Sequence, residues 1–198
     1  MNAEYLIPSA VNSVLSEFSG KVITNIFRCG YFNLENLNEL AKKHGSSSVF
    51  RSYVGAVCIE LESTEFIAVF EMEKNHSVRM KFPTKTWFEE RFSNQPKSKF
   101  QFMVLSMDGP YGDTSLSEYL GKEISAIKII KQKSNLPKKV GLAGEVGLLI
   151  EFSDAYEELY IGVNLAPGGG GRSVMLLRKG EVDFEWLQKG GEFSILNL

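Results

Sequence analysis

The chain has 198 residues and a mass of 22.2 kDa, is 43% hydrophobic and 12% aromatic, and so holds enough apolar material for a sizeable core, which excludes a disordered or fibrous protein. Lys and Arg total 22 against 24 Asp and Glu, a net charge of -2, so no global basic field exists to hold nucleic acid by counterion release. Two cysteines, Cys29 and Cys58, and two histidines, His44 and His76, are too few soft ligands for a recognisable zinc site; neither metal nor cofactor is expected, and both cysteines read as ordinary thiols.

Met1 to Ser19 lacks the basic start and long apolar run of a secretory signal, and no window approaches the roughly 18 apolar residues of a membrane span. A cytoplasmic protein with no membrane partner is expected. Val11, Val14, Leu15 and Phe18 fall on one helical face, with Ser9 available as N-cap and Gly20 as a stop. Val22 to Phe27 reads as a strand. Leu34, Leu37, Leu40 and Ala41 form a second helical stripe, begun by Asn33 and ended by Gly45, and serines 46 to 48 read as a loop.

A run of strands follows. Val57, Ile59 and Leu61 alternate with Cys58, Glu60 and Glu62, the period of two that puts one face on a core. A turn at Ser63-Thr64 leads to Phe66–Met72, and Lys74-Asn75-His76 turns into Val78–Phe82, giving an antiparallel meander. Trp87, Phe88 and Phe92 lie in a short helical segment, Phe100–Ser106 is a strand, and Asp108–Asp113 is a turn by composition.

The second half repeats this plan. Gly20 to Ile26 has its counterpart in Gly121 to Ile127, 101 positions on. Cys58 to Leu61 matches Leu149 to Phe152 at 91, Glu65 to Val69 matches Glu158 to Gly162 at 93, and Ser77-Val78 matches Ser173-Val174 at 96. Trp87-Phe88-Glu89 closes one half and Phe184-Glu185-Trp186 the other. The fold expected is α+β, mainly antiparallel sheet: one compact body over 1–198 built from two duplicated strand-plus-meander units, 20–106 and 121–190, with an N-terminal helix and one inserted helix. Whether the units share one sheet or pack face to face stays open.

No motif declares a chemistry. Pro167 to Ser173 contains four glycines but lacks the Lys-Ser/Thr pair and following helix of a phosphate loop, so a hairpin loop is expected, with Gly169, Gly170 and Arg172 as possible contacts to a partner or ligand. Asp108 and Asp113 do not match a calcium loop, because its third position is Pro110 and its twelfth Tyr119. No G-x-S-x-G elbow is present and both histidines have ordinary placements, so no enzyme is expected. Lys128, Lys131, Lys133, Lys138 and Lys139 lack the interleaved aromatics of a single-strand-binding platform and read as a solvated loop. Glu60 and Glu62 on one strand, Glu71 and Glu73 on the next and Glu65 at the turn between them read either as a solvated face neutralised by Arg79 and Lys81 or as an acidic patch that meets a basic protein partner.

Glu145 to Asp154, followed by Glu158 to Val163 and Val174 to Arg178, is similar in style, over about 70 residues, to small bacterial α+β immunity proteins of polymorphic toxins of the contact-dependent inhibition type. The resemblance implies a cytoplasmic, non-catalytic protein that neutralises a cognate toxin by docking on it, and a basic toxin domain would meet Glu60, Glu62, Glu65, Glu71 and Glu73. The alternative is a small-ligand-binding or hydrolytic domain whose site lies in the cleft between the units, with Tyr111, Asp113 and Arg172 converging there.

Overall fold

In a computed structural model of the chain, the residues described are 5–52, 55–72, 77–94, 98–132, 144–154, 157–163, 174–178, 180–181 and 193–197. A 3-10 turn, Pro8–Val11, runs into helix α1 (Asn12–Ser16) and strand β1 (Ile23–Phe32). Helices α2 (Leu34–His44) and α3 (Ser46–Ser52) intervene before β2 (Ala56–Leu61), β3 (Phe66–Met72), β4 (Ser77–Lys81), α4 (Lys85–Ser93) and β5 (Gln101–Ser106). A second 3-10 turn, Thr114–Tyr119, opens the other half, which continues through β6 (Ile124–Gln132), β7 (Glu145–Phe152), β8 (Glu158–Gly162), β9 (Met175–Arg178) and β10 (Phe193–Asn197).

The strands form two five-stranded sheets, each antiparallel throughout, ordered β4-β3-β2-β1-β5 and β10-β6-β7-β8-β9. The fold is thus α+β with the same strand order in both halves. The sheets pack face to face, β4 over β7 and β3 over β8. Ile26, Ile59, Val69 and Met80 of the first sheet and Ile127, Ile150, Leu159 and Leu176 of the second belong to one buried cluster. Helix α4 covers the opposite face of the first sheet, where Phe27, Cys58, Phe66, Phe88 and Phe102 form a second cluster.

The two halves meet through backbone bonds that repeat under the same shift of 101 positions. Gly20 N–H donates to Ile124 O and Gly121 N–H to Ile23 O, at 2.8 and 2.9 Å; Ile23 N–H donates to Lys122 O and Ile124 N–H to Lys21 O, at 3.0 and 2.9 Å. Such reciprocal contacts are what a two-fold axis produces. Gly20 and Gly121 both have positive φ, +83° and +79°, where glycine escapes the Cβ penalty. Lys21 sits over the Phe18 ring and Lys122 over the Tyr119 ring, and a bulge follows at Ile23–Asn25 and again at Ile124–Ala126.

Several elements depart from the sequence reading. Ser9 does not cap α1 with its side chain; its N–H is instead bound at 2.8 Å by the buried carboxylate of Glu145. Strand β1 continues five residues past Phe27, because Arg28, out of pattern for a core strand, is fully buried. Serines 46 to 48 open helix α3 rather than a loop, since Val49 and Phe50 have a core to enter. The match of Glu65–Val69 to Glu158–Gly162 is one residue out: the ladders place Ile59 opposite Ile67 and Ile150 opposite Leu159, making Leu159 the equivalent of Ile67. A slip of one residue exchanges the faces of a strand. The second sheet takes its fifth strand from beyond residue 190. The Lys74–His76 turn, the Phe184–Trp186 cluster and Lys133, Lys138 and Lys139 lie outside the described residues, while Lys128 pairs with Glu151 and Lys131 lies 3.0 Å from Glu145.

Candidate functional surface at the edge of the first sheet

Of the residues expected to form an acidic patch, Glu60, Glu62 and Glu65 gather at one turn and Glu71 does not join them. Antiparallel pairing puts Glu60 opposite Phe66, and Glu62 and Glu65 beside the β2–β3 turn, whereas Glu71 stands opposite Val78 of β4 toward the other end of β3. Five residue steps along the strand separate Phe66 from Glu71, roughly 16 Å at the usual rise. Glu73 lies outside the described residues. The Glu65 carboxylate is engaged locally: it accepts from Lys21 Nζ and Ser63 Oγ, and those bonds hold its pKa below the ordinary value. Gly169, Gly170 and Arg172 also lie outside the described residues.

Of the cleft residues, Tyr111 and Asp113 are engaged in contacts within the chain. Tyr111 Oη donates to Asn38 Oδ1 at 2.6 Å, tying the turn after β5 to α2. Asp113 is buried and caps the second 3-10 turn, accepting from Ser115 N–H at 3.1 Å and from the Nε of Arg51, which also reaches Glu181 and, at 2.9 Å, Ser115 Oγ. Burial pushes the Asp113 pKa up, but the bonds from Ser115 and Arg51 outweigh it and hold the carboxyl below its usual 3.8. A carboxylate depressed on folding gives stability that is present above its unfolded value and lost as pH falls through its folded one. Asp113→Asn is therefore expected to cost about 1–2 kcal/mol at neutral pH. Its urea midpoint should also fall less steeply than that of the wild type below pH 3.8; parallel acid limbs would show that this carboxylate carries no linkage.

What the fold does assemble is apolar. Six large apolar side chains are strongly exposed among the described residues, and five of them, Tyr31, Leu34, Phe92, Phe100 and Val104, surround β5 with exposures between 38% and 51%. Register explains this. Phe102 pairs with Tyr31 and Val104 with Cys29, so these four share the face that α4 covers only in part. The Phe102 ring, 4% exposed, is the hub, 5.5 Å from Tyr31, 5.3 Å from Phe92 and 6.0 Å from Trp87. Around the start of β5 the surface dips into a groove of 270 Å³ lined by Phe32, Asn33, Leu34, Gln101 and Met103, with Glu35 and Lys99 supplying one charge of each sign.

β5 is also a sheet edge, bonded to β1 on one side and to no strand on the other among the described residues. Natural edges are usually blunted by a lysine, a proline or a bulge. Gln101-Phe102-Met103-Val104-Leu105-Ser106 has neither charge nor proline, and its pairing to β1 runs unbroken over six residue pairs. Sequence reasoning identified β5 as a strand but not as an edge, because edge position follows from topology. The one available signal was the uncharged 100–106 segment itself.

Among the described residues no three metal-ligating side chains gather, and no helix is long and apolar enough to cross a membrane. No protein-family model, curated protein or solved structure matches the chain.

Proposed function

We propose that this chain is a non-catalytic protein-binding module that docks on a partner protein through the β5 edge and the aromatic surface beside it. One observation carries the reading: five exposed large apolar side chains lie around a sheet edge that no strand pairs among the described residues. Exposed apolar surface of this kind costs solubility unless something covers it. An extended segment of the partner, added alongside β5, would satisfy the outward backbone groups while Phe92, Phe100 and Val104 supply the apolar contact. The mixed charge of Glu35 and Lys99 at the groove suits the polar rim of such an interface. The immunity-protein resemblance makes a toxin domain the partner to try first, in the cytoplasm where such inhibitors act. The acidic residues have less support as the contact, since the register separates Glu71 from Glu60 and Glu65 is engaged by Lys21 and Ser63.

Val104→Lys places a charge in the middle of the edge without touching the buried core. With the protein as bait in cells expressing its neighbouring genes, the wild type is expected to retain one stoichiometric protein, with binding weakened at least about 30-fold by Val104→Lys. Glu60→Lys/Glu62→Lys should bind as the wild type does. A partner held equally by Val104→Lys, or wild-type protein that instead self-associates and becomes monomeric in that variant, would overturn the proposal.

A further inference from the structure

Cys29 and Cys58 stand on adjacent strands, Cys29 opposite Ala56 and Cys58 opposite Phe27, so they are diagonal neighbours on the face beneath α4. Their sulfurs are 3.1 Å apart, and both side chains are buried. That separation is about 1 Å longer than a disulfide bond. The backbones are close here for a reason the sequence supplies. A Cβ on Gly30 would lie 3.2 Å from Gly55 Cα, and one on Gly55 would lie 2.8 Å from the Cys29 carbonyl oxygen, so two glycines permit the approach of β1 to the start of β2. Between the cysteines in sequence lie the inserted helices α2 and α3.

We propose that Cys29 and Cys58 are a modification site, closing into an intramolecular disulfide when the chain folds in the presence of a disulfide oxidant such as oxidised glutathione. One cysteine thiolate attacks the glutathione disulfide, releasing one reduced glutathione and forming a mixed disulfide. The second thiolate attacks the protein sulfur of that intermediate and expels the other, so that two thiols and one glutathione disulfide become one protein disulfide and two reduced glutathiones. The bond forms during folding rather than after it: once α4 and Phe88 cover the pair, burial and the contact with Cys29 raise the Cys58 pKa, and little thiolate remains to attack. Closing this loop staples the helical insertion to the sheet and restricts the unfolded chain.

The test is to unfold and reduce the full chain, then refold it by dilution with and without oxidised glutathione. Refolding with the oxidant is expected to give a monomer lighter by two hydrogens, with no thiol titratable in denaturant and a Tm roughly 5–10 °C above that of the reduced protein. Cys58→Ala refolded the same way should show no such Tm gain. Two titratable thiols after oxidative refolding, bridges only between chains, or an intramolecular bridge that lowers the Tm would each overturn the proposal.

Discussion

Arg28→Met is expected to lower the free energy of unfolding by about 3–5 kcal/mol, read as a fall in the urea midpoint at unchanged slope. Arg28 is fully buried between β1 and the inserted helices, and its guanidinium gathers backbone carbonyls from three places. Nε donates to Phe50 O and Nη2 to Arg51 O at 2.7 Å, both in the last turn of α3, where carbonyls lack intrahelical partners. Nη1 reaches Gly55 O at 3.4 Å, and Nη2 also donates to Val174 O at the entry to β9 in the other half. One side chain therefore caps a helix, reaches Gly55 ahead of β2 and joins the two sheets.

Two effects oppose each other here. Burial lowers the Arg28 pKa to about 9, partly countered by Cys58 and Cys29, a sign that the charge is expensive to hold inside. Methionine would remove that cost. It would also strand acceptors at Phe50, Arg51 and Val174, each worth about 1–3 kcal/mol when left unsatisfied in the interior. With three such groups the losses exceed the gain. A pKa depressed on folding means that the charge penalty is present below about 9 and relieved only as pH rises through it, so the difference between variant and wild type should stay flat from about pH 6 to 8. Arg28→Lys should rescue little, because a single ammonium cannot span acceptors that a planar fork reaches together. A loss below about 1 kcal/mol for methionine would mean that the cost of burying the charge cancels the bonds it makes.

Arg28 also marks where the sequence stopped being legible. Period-two alternation located β2 and β3, and the Asn33 and Gly45 signals bounded α2 as read: Asn33 Oδ1 accepts from Glu35 N–H at 3.0 Å, and Gly45 has φ +85°. Those are local interactions, written in neighbouring residues. A lone arginine followed by Cys29 and Gly30 reads as the end of a strand, and only the carbonyls of α3 and Val174, far away in sequence, make it interior. The repeat was visible for a related reason, since Gly20-Lys21 and Gly121-Lys122 carry the turn and its bonds within a few residues. The faces of β2 and β3 follow the alternation, but position along neighbouring strands depends on register. Glu60 and Glu71 are on neighbouring strands, but the antiparallel direction sends them to opposite ends. The exposed aromatic surface at β5 could not be read beforehand either, because Phe92, Phe100 and Val104 become exposed only once the order β4-β3-β2-β1-β5 leaves that strand outermost.

Gly147 and Gly162 set the second large expectation, and they separate two kinds of steric cost. The two glycines pair directly across β7 and β8, and the Tyr160 ring lies on them, fully buried, with its hydroxyl 2.8 Å from Val163 O and 3.2 Å from Val146 O. Burial pushes the Tyr160 pKa well above its usual 10, so the phenol stays a donor across the working pH range. A Cβ on Gly147 would meet only that ring among its nearest atoms, at 2.5 to 2.8 Å. On Gly162 it would meet Tyr160 Oη at 2.3 Å and also backbone, Val146 O at 2.4 Å and Gly147 Cα at 2.6 Å. Both alanine substitutions should overpack the site and cost roughly 2–3 kcal/mol or more. Their response to a second change should differ. Shortening the aromatic side chain with Tyr160→Leu removes the obstacle to Gly147→Ala, so that pair is expected to lose less than the sum of the single variants by at least about 1 kcal/mol. Gly162→Ala has no comparable relief, because the carbonyl of Val146 holds the Val163 N–H at 2.8 Å and cannot withdraw without breaking the end of the ladder. Chemical unfolding of the three single variants and the two pairs measures both couplings, and equal coupling at the two glycines would show that β7 and β8 separate as freely as the ring turns.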